Sequence, residues 1–416
     1  MGIVLEGQQK LVKDEIIKYK KNPYKPYLYY SGRAGTGKTT VIMCAIQEMG
    51  LDSNKYIAVA YTGKAVMVLM QHGLRAMTIH SLIYNLVMRK VPEDYVDANG
   101  DLKTKTKMKM EFVLKDKLPD EIEVIILDEM GMVSDELMRD LMSFGIPIIM
   151  MGDHNQLPPV IGKSSIMDKP DFVLTKIMRQ AEGDPIVYLA NLVLDDYPLQ
   201  LGEYGLSRVI DDYEITNKLI EDFDVIICNK NKERDEMNRI IRCDLLHRPE
   251  FKPVLGDKVI CRQNNYDRVI DGFFLTNGMT GVITDIDYSR MHRNAITISF
   301  QPDFMEDKEF DFLDIDYKYL ISSYDERKEY GLTSNNKFEW GNALTTHLTQ
   351  GSEYKDVFYM DSFFQTQELT KRIRYTAITR AKHSITIVKK PEKKFFYYNG
   401  NPKDYYNTDR SAVRWY

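Results

Sequence analysis

At 416 residues the chain exceeds one typical domain and has ample length for two to four. A net charge of −5 excludes a wholly basic nucleic-acid coat, though not a local basic channel. Four scattered cysteines (Cys44, Cys228, Cys243 and Cys261), without CxxC pairing, predict core thiols in a reducing compartment; no apolar run reaches the roughly 20 residues of a membrane span and MGIVLEGQ lacks a basic leader, so a soluble, cytoplasmic protein is expected.

In chain order, the first short apolar run, YLYYSG, leads into SGRAGTGKTT at 31–40, and the helix-like VIMCAIQEMG follows. Gly32, Gly37, Lys38 and Thr39 complete GxxxxGK[ST], with Gly35 and Thr40 in the same turn. Such glycines let backbone N–H groups wrap phosphates, the lysine neutralises β and γ oxygens, and the threonine hydroxyl suits Mg²⁺, so ATP and Mg²⁺ are the expected ligands. The next strand is YIAVAYTG. An interruption at 84–118 follows, with Asn99 and Gly100 as a type I′ turn between two strands. Lys103, Lys105, Lys107 and Lys109 recur there at period two. On a strand they share one face, which suits tracking a phosphate backbone and equally suits keeping a β edge soluble.

EVIILDE is an apolar strand ending in Asp128 and Glu129, placed to hold Mg²⁺ and to take a proton from attacking water respectively. PIIMMGD then opens MGDHNQLPPV, where Gln156 is the candidate to meet the γ-phosphate. A second α/β segment resumes near 186 with DVIICNKN, DVFYMDS and SITIVKK as strands. Its interruption, 250–332, holds GDKVICRQ, FFLTNGMTGVITDID and NAITISFQ, short strands expected to form a small β-barrel. The tail PEKKFFYYNGNPKDYYNTDRSAVRWY is aromatic and aperiodic.

These blocks together resemble the superfamily 1 helicases, more narrowly the 1B group with the RecD family and the phage Dda-type enzymes. LEGQQKLV is similar to the adenine-reading Q motif through Gln8; AYTGKAV and TIHSL resemble strand-contacting motifs through Thr62, Lys64, His80 and Ser81. LTKIMRQ places Arg179 at one arginine-finger position; THLTQGSEY and YTAITRAK supply Thr346, His347, Gln350, Gly351, Glu353, Tyr375, Thr379 and the second finger, Arg380. Tyr61 stands where the family has proline, and Leu348 where it has lysine.

The resemblance implies an α/β fold of two RecA-like parallel-sheet motor lobes, the first over 1–83 and 119–185, the second over 186–249 and 333–416. A hairpin insertion at 84–118 is implied as a pin that splits the duplex, and a small SH3-like β-barrel at 250–332 as a strand clamp. The implied activity is ATP-dependent 5′ to 3′ movement on single-stranded DNA with unwinding at single-strand/duplex junctions. Action as a monomer is implied, with replication or recombination partners such as a single-strand-binding protein, and no membrane. An RNA helicase, a translocase that does not unwind, and an ATP-switched nucleic-acid-binding or loading subunit stay open from the residues alone.

Overall fold

The computed structural model describes residues 5–96, 102–159, 162, 164–176, 178, 183–212, 223–271, 273–289, 294–305, 307–328 and 336–389. Within these, side chains are described except at 88, 90, 91, 93–96, 102–105 and 107–110. The chain divides into two units. One comprises Met1–Ser31, Lys38–Gly152 and Ile161–Val173; the other comprises Gly32–Gly37, Asp153–Val160 and Leu174–Tyr416.

The strands of the first part of the chain are β1 (Tyr27–Gly32), β2 (Tyr56–Ala60), β3 (Ala76–Thr78), β4 (Tyr84–Val96), β5 (Leu102–Leu114), β6 (Val124–Leu127), β7 (Ile148–Gly152) and β8 (Phe172–Leu174). Six form a sheet in the order β3-β2-β6-β7-β1-β8, with parallel pairing across β3, β2, β6, β7 and β1. YIAVA, VIIL and IIMMG are buried at every residue. Such unbroken apolar runs, rather than alternating ones, are what a parallel sheet covered on both faces requires. Helices α1 (Gly7–Lys21), α2 (Lys38–Met49), α3 (Gly63–Gln71), α4 (Ile79–Ile83) and α5 (Asp135–Met142) accompany this sheet. Alternate residues Ile57, Val59, Ile125 and Leu127 share one core with Leu82 of α4 and Leu141 of α5. Parallel pairing sends the carboxyl ends of β1, β2, β6 and β7 to one edge, where α/β proteins bind ligands.

Between α4 and β6, β4 and β5 form a long antiparallel ladder running from Tyr84 opposite Leu114 to Val96 opposite Leu102. The turn residues Asn99 and Gly100 lie outside the described residues, as do the side chains of Lys103, Lys105, Lys107 and Lys109.

The remaining chain gives α6 (Pro185–Leu194) and β9 (Gly202–Tyr204), β10 (Ser207–Asp211), β11 (Val225–Cys228), β12 (Lys258–Cys261), β13 (Asn265–Ile270), β14 (Phe273–Leu275), β15 (Thr280–Asp287), β16 (Ala295–Pro302), β17 (Phe310–Asp316), β18 (Phe338–Trp340), β19 (Ala343–Thr345), β20 (Tyr354–Asp361) and β21 (Ala381–Lys389). A second six-stranded sheet has the order β19-β11-β20-β21-β10-β9, parallel from β19 through β10, with β9 antiparallel at its edge. Helix α6 and the helix Gln367–Ile378 pack on one face, around Leu189, Ile227, Tyr359 and Ile378.

The 250–332 interruption forms an antiparallel five-stranded sheet, β17-β16-β15-β12-β18, beside the β13–β14 ribbon. Its edge strand β18 lies past the expected boundary at 332. FEW is too short to show a period, and pairing with β12 recruits it to this sheet. Among the described residues no helix is long and apolar enough to cross a membrane.

Candidate functional site

In the first unit, Lys38, Thr39 and Thr40 form the first turn of α2, and the buried Tyr30 hydroxyl donates to the Lys38 carbonyl at 3.1 Å. Asp128 and Glu129 follow the last residue of β6. An Asp128 carboxylate oxygen accepts the Glu129 N–H at 2.8 Å, and Glu129 takes left-handed dihedrals of φ 51° and ψ 48°. That region costs a residue with a Cβ roughly 1–2 kcal/mol. The strain accompanies a sharp turn into Met130, whose backbone N would lie 3.2 Å from a Cβ placed on Gly152. The hydroxyl of Thr39 and the carboxylate of Asp128 are hard oxygen donors of the kind Mg²⁺ takes, so the residues present fit that ion.

In the second unit, residues 32–37 make a tight loop. Thr36 donates through its N–H (3.3 Å) and its hydroxyl (2.8 Å) to the Arg33 carbonyl. Gly35 and Gly37 have φ of 76° and 77°, which only glycine adopts freely. A Cβ on Gly32 would fall 2.4 Å from the Thr36 hydroxyl oxygen and 3.0 Å from Leu174 Cβ. The Ala34 N–H donates to the Tyr375 hydroxyl at 2.9 Å, and that hydroxyl donates to the Asp153 carboxylate.

Gln156 sits half-buried one turn beyond Asp153, its N–H donating to the Asp153 carbonyl at 3.1 Å. Gln350 donates to the Leu157 carbonyl at 2.9 Å, Gly351 has φ 69°, and the exposed Glu353 pairs with Lys382 at 2.7 Å. Arg380 is buried at 4% exposure. Its guanidinium donates to the carbonyls of Thr376 (3.0 Å) and Ser352 (3.1 Å) and to the Thr379 hydroxyl (3.2 Å). Arg179 lies outside the described residues. Gln8 is exposed near the start of α1, whereas its neighbour Gln9 is buried.

The strand-contact candidates form two groups, each within one unit. In the first, the Thr62 hydroxyl caps α3 by accepting from Ala65 N–H at 3.2 Å, with Lys64 in the helix's first turn. Ser81 N–H donates to Thr78 Oγ1 at 3.2 Å. His80 meets Tyr61, Tyr84 and Phe112 at ring-centroid distances of 5.7, 5.7 and 5.3 Å. Burial lowers its pKa from 6.5, which favours the neutral ring. Tyr61 and Phe112 are each 38% exposed, leaving aromatic surface at the root of the hairpin. Phe112 is not legible from the sequence as part of this cluster, because nothing at its own position signals that β5 returns it to His80.

In the second unit, Thr346 is fully buried and its hydroxyl lies within reach of Cys228 O (3.4 Å) and Asn229 Oδ1 (3.3 Å). It therefore braces β11 in this structure. His347 is half-buried, its ring 6.1 Å from Phe364 and its pKa lowered by burial. Leu348 packs against the lobe core, which accounts for an apolar residue where the family has lysine.

Residues 16–162 match the family model described as an AAA domain, and residues 341–388 match the UvrD-like helicase C-terminal domain. An uncharacterised protein of Methanocaldococcus jannaschii is 24% identical over 473 aligned positions, covering 88% of this chain and 37% of its own length. The ATP-dependent RecD2 DNA helicase of Deinococcus radiodurans is 25% identical over 298 positions, covering 64% of this chain and 36% of its own. The chain thus spans little more than a third of these curated relatives. A solved structure concerned with unwinding of forked duplex DNA by two coordinating Pif1 helicases superposes with a TM-score of 0.50 at 18% identity, covering 92% of each chain, a likeness of fold.

Proposed function

We infer from the chain's place among the RecD- and Pif1-like helicases of superfamily 1B that it hydrolyses ATP with Mg²⁺ and couples turnover to 5′ to 3′ movement on single-stranded DNA, opening the duplex at junctions. The observation that carries this reading is one parallel sheet whose β1 leads into GxxxxGKT and whose β6 ends before Asp128–Glu129, in a chain that also matches a helicase C-terminal domain. A module that only binds nucleic acid has no use for a hydrolytic base.

In this mechanism the glycine-rich backbone wraps the phosphates and Lys38 neutralises their oxygens. Thr39 and Asp128 would hold Mg²⁺, which would supply positive charge to offset that developing in the transition state. Glu129 takes the proton of the attacking water and Gln156 meets the γ-phosphate. Arg179 and Arg380 supply positive charge to the transition state, a contribution that can reach about 10³–10⁵ in rate. For Arg380 that role requires exchanging its present carbonyl partners for phosphate. Gln8 reads the base, and Gly351 and Glu353 complete the nucleotide contacts. Thr62, Lys64, His80, Ser81, Thr346 and His347 are the strand contacts; the first four lie beside an aromatic surface of the kind on which bases stack.

The motor lobes are proposed at 1–83 with 119–185 and at 186–249 with the remainder after the insertion. The hairpin 84–118 is the duplex pin. The small sheet, taken to Trp340, is an SH3-like clamp. The test is ATP turnover with and without single-stranded DNA or RNA. DNA-stimulated turnover that Lys38→Ala and Glu129→Gln each reduce at least a hundredfold supports the reading. Stimulation by RNA alone, or ATP binding with no strand-stimulated turnover, overturns it.

A further inference from the structure

We propose that Tyr375 is a positioning residue that fastens the phosphate loop to the Asp153–Leu157 segment, so that what Gln156 meets is transmitted to the helix Gln367–Ile378; this rests on the nucleotide-hydrolysis reading above. Tyr375 is fully buried, and its hydroxyl serves two sequence-remote partners. It accepts the Ala34 N–H at 2.9 Å and donates to Asp153, which is 2% exposed and whose other carboxylate oxygen holds the Asn155 N–H and side-chain amide at 3.0 Å each. Burial pushes the phenol well above its ordinary pKa, so it stays a neutral donor at working pH.

The same helix grips the rest of the segment. The Thr376 hydroxyl accepts the Leu157 N–H at 3.1 Å, and Arg372 donates to the carbonyls of His154 (3.2 Å) and Gln156 (3.4 Å). Consecutive backbone groups on either side of Gln156 are therefore held by one helix, and that helix also holds Ala34 of the phosphate loop. A phenylalanine fills the same volume but leaves the half-buried Ala34 N–H and the buried Asp153 carboxylate without this partner, and buried polar groups tolerate that poorly. The geometry is that of a strut, with packing supplied by the ring and coupling supplied by the oxygen.

The experiment compares wild type, Tyr375→Phe, Asp153→Asn and the double variant. It measures melting temperature, fluorescent-ADP affinity, kcat and KM for ATP with single-stranded DNA, and amide hydrogen exchange. Tyr375→Phe is expected to melt within about 5 °C of wild type. ADP affinity and KM should stay within about twofold, while strand-stimulated kcat falls about tenfold or more. Exchange should accelerate together in residues 33–36 and 154–157, and the double variant should be no worse than the more affected single one. Wild-type kcat in Tyr375→Phe, a kcat loss matched by an equal loss of ADP affinity, strictly additive effects, or exchange rising in only one segment would each overturn the strut. If wild type itself shows no strand-stimulated turnover, the function reading fails, while exchange still decides whether Tyr375 ties the two segments.

Discussion

Glu129, the proposed base, stands on a left-handed backbone. A glutamate held at φ 51° sits in a region that glycine occupies without strain, which makes stability and chemistry separable there. Glu129→Gln should leave the melting temperature unchanged and abolish turnover. Glu129→Gly should also abolish turnover while matching or exceeding wild-type stability by up to about 1 kcal/mol. A clear destabilisation of the glycine variant in urea unfolding would show that the turn is not strained. Gly32 gives the opposite case. In Gly32→Ala the new Cβ meets Thr36 and Leu174, so a loss of about 1–3 kcal/mol and weakened ADP binding are expected.

His80 and His347 are both held below 6.5 by burial. Because the folded pKa lies below the unfolded one, each contributes stability in full above about 6.5 and loses it as pH falls toward the folded value. Imidazole NMR titration should place both midpoints below 6.5, and a midpoint at or above it would contradict the burial described.

At the scale of elements, the small sheet is joined to the second parallel-sheet lobe by charge as well as by the apolar contact of Ile260 of β12 with the lobe core. Glu339 of β18 pairs with Arg234 of the helix Asn231–Arg239 at 2.7 Å and with Arg262 at 3.2 Å, and the Tyr319 hydroxyl donates to it at 3.0 Å. Arg234 is 1% exposed. Burial alone would raise the Glu339 pKa; the three arginines Arg234, Arg262 and Arg327 outweigh it and hold the carboxyl below its usual 4.5. Its contribution is therefore full above about 4.5 and is lost as pH falls through the folded pKa. Glu339→Gln leaves Asp235 as the remaining carboxylate paired with Arg234 and Arg327 and should cost up to roughly 3–5 kcal/mol at neutral pH in chemical unfolding. The variant's stability should also lack part of the wild type's decline below pH 4.5.

This network marks a limit of sequence reading. NKERDEMNR carries the pattern of a solvated helix, and only the return of β18, about a hundred positions later, turns Arg234 into a buried ion. Parallel strands such as VIIL and IIMMG were legible because burial on both faces imposes an unbroken apolar run. FEW was not, because three residues carry no period.

Across the whole molecule, contiguous motifs were legible in the sequence and contacts assembled from distant segments were not. Lys38, Thr39, Asp128 and Glu129 stand out as candidates because phosphate binding and water activation would need such groups at a helix start and at a strand end. The Tyr375 bridge joins Ala34 to a residue 341 positions away, and no local signal announces that pairing. The two family matches fall in different parts of the chain, over 16–162 and 341–388, as expected if the parallel-sheet lobes are two parts of one motor. The most direct measurement is strand displacement from matched duplexes bearing either a 5′ or a 3′ single-stranded tail, with ATP and Mg²⁺ and with Glu129→Gln as the inactive control. Displacement confined to the 5′-tailed duplex is the predicted result; displacement confined to the 3′ tail, or none from either, would contradict it.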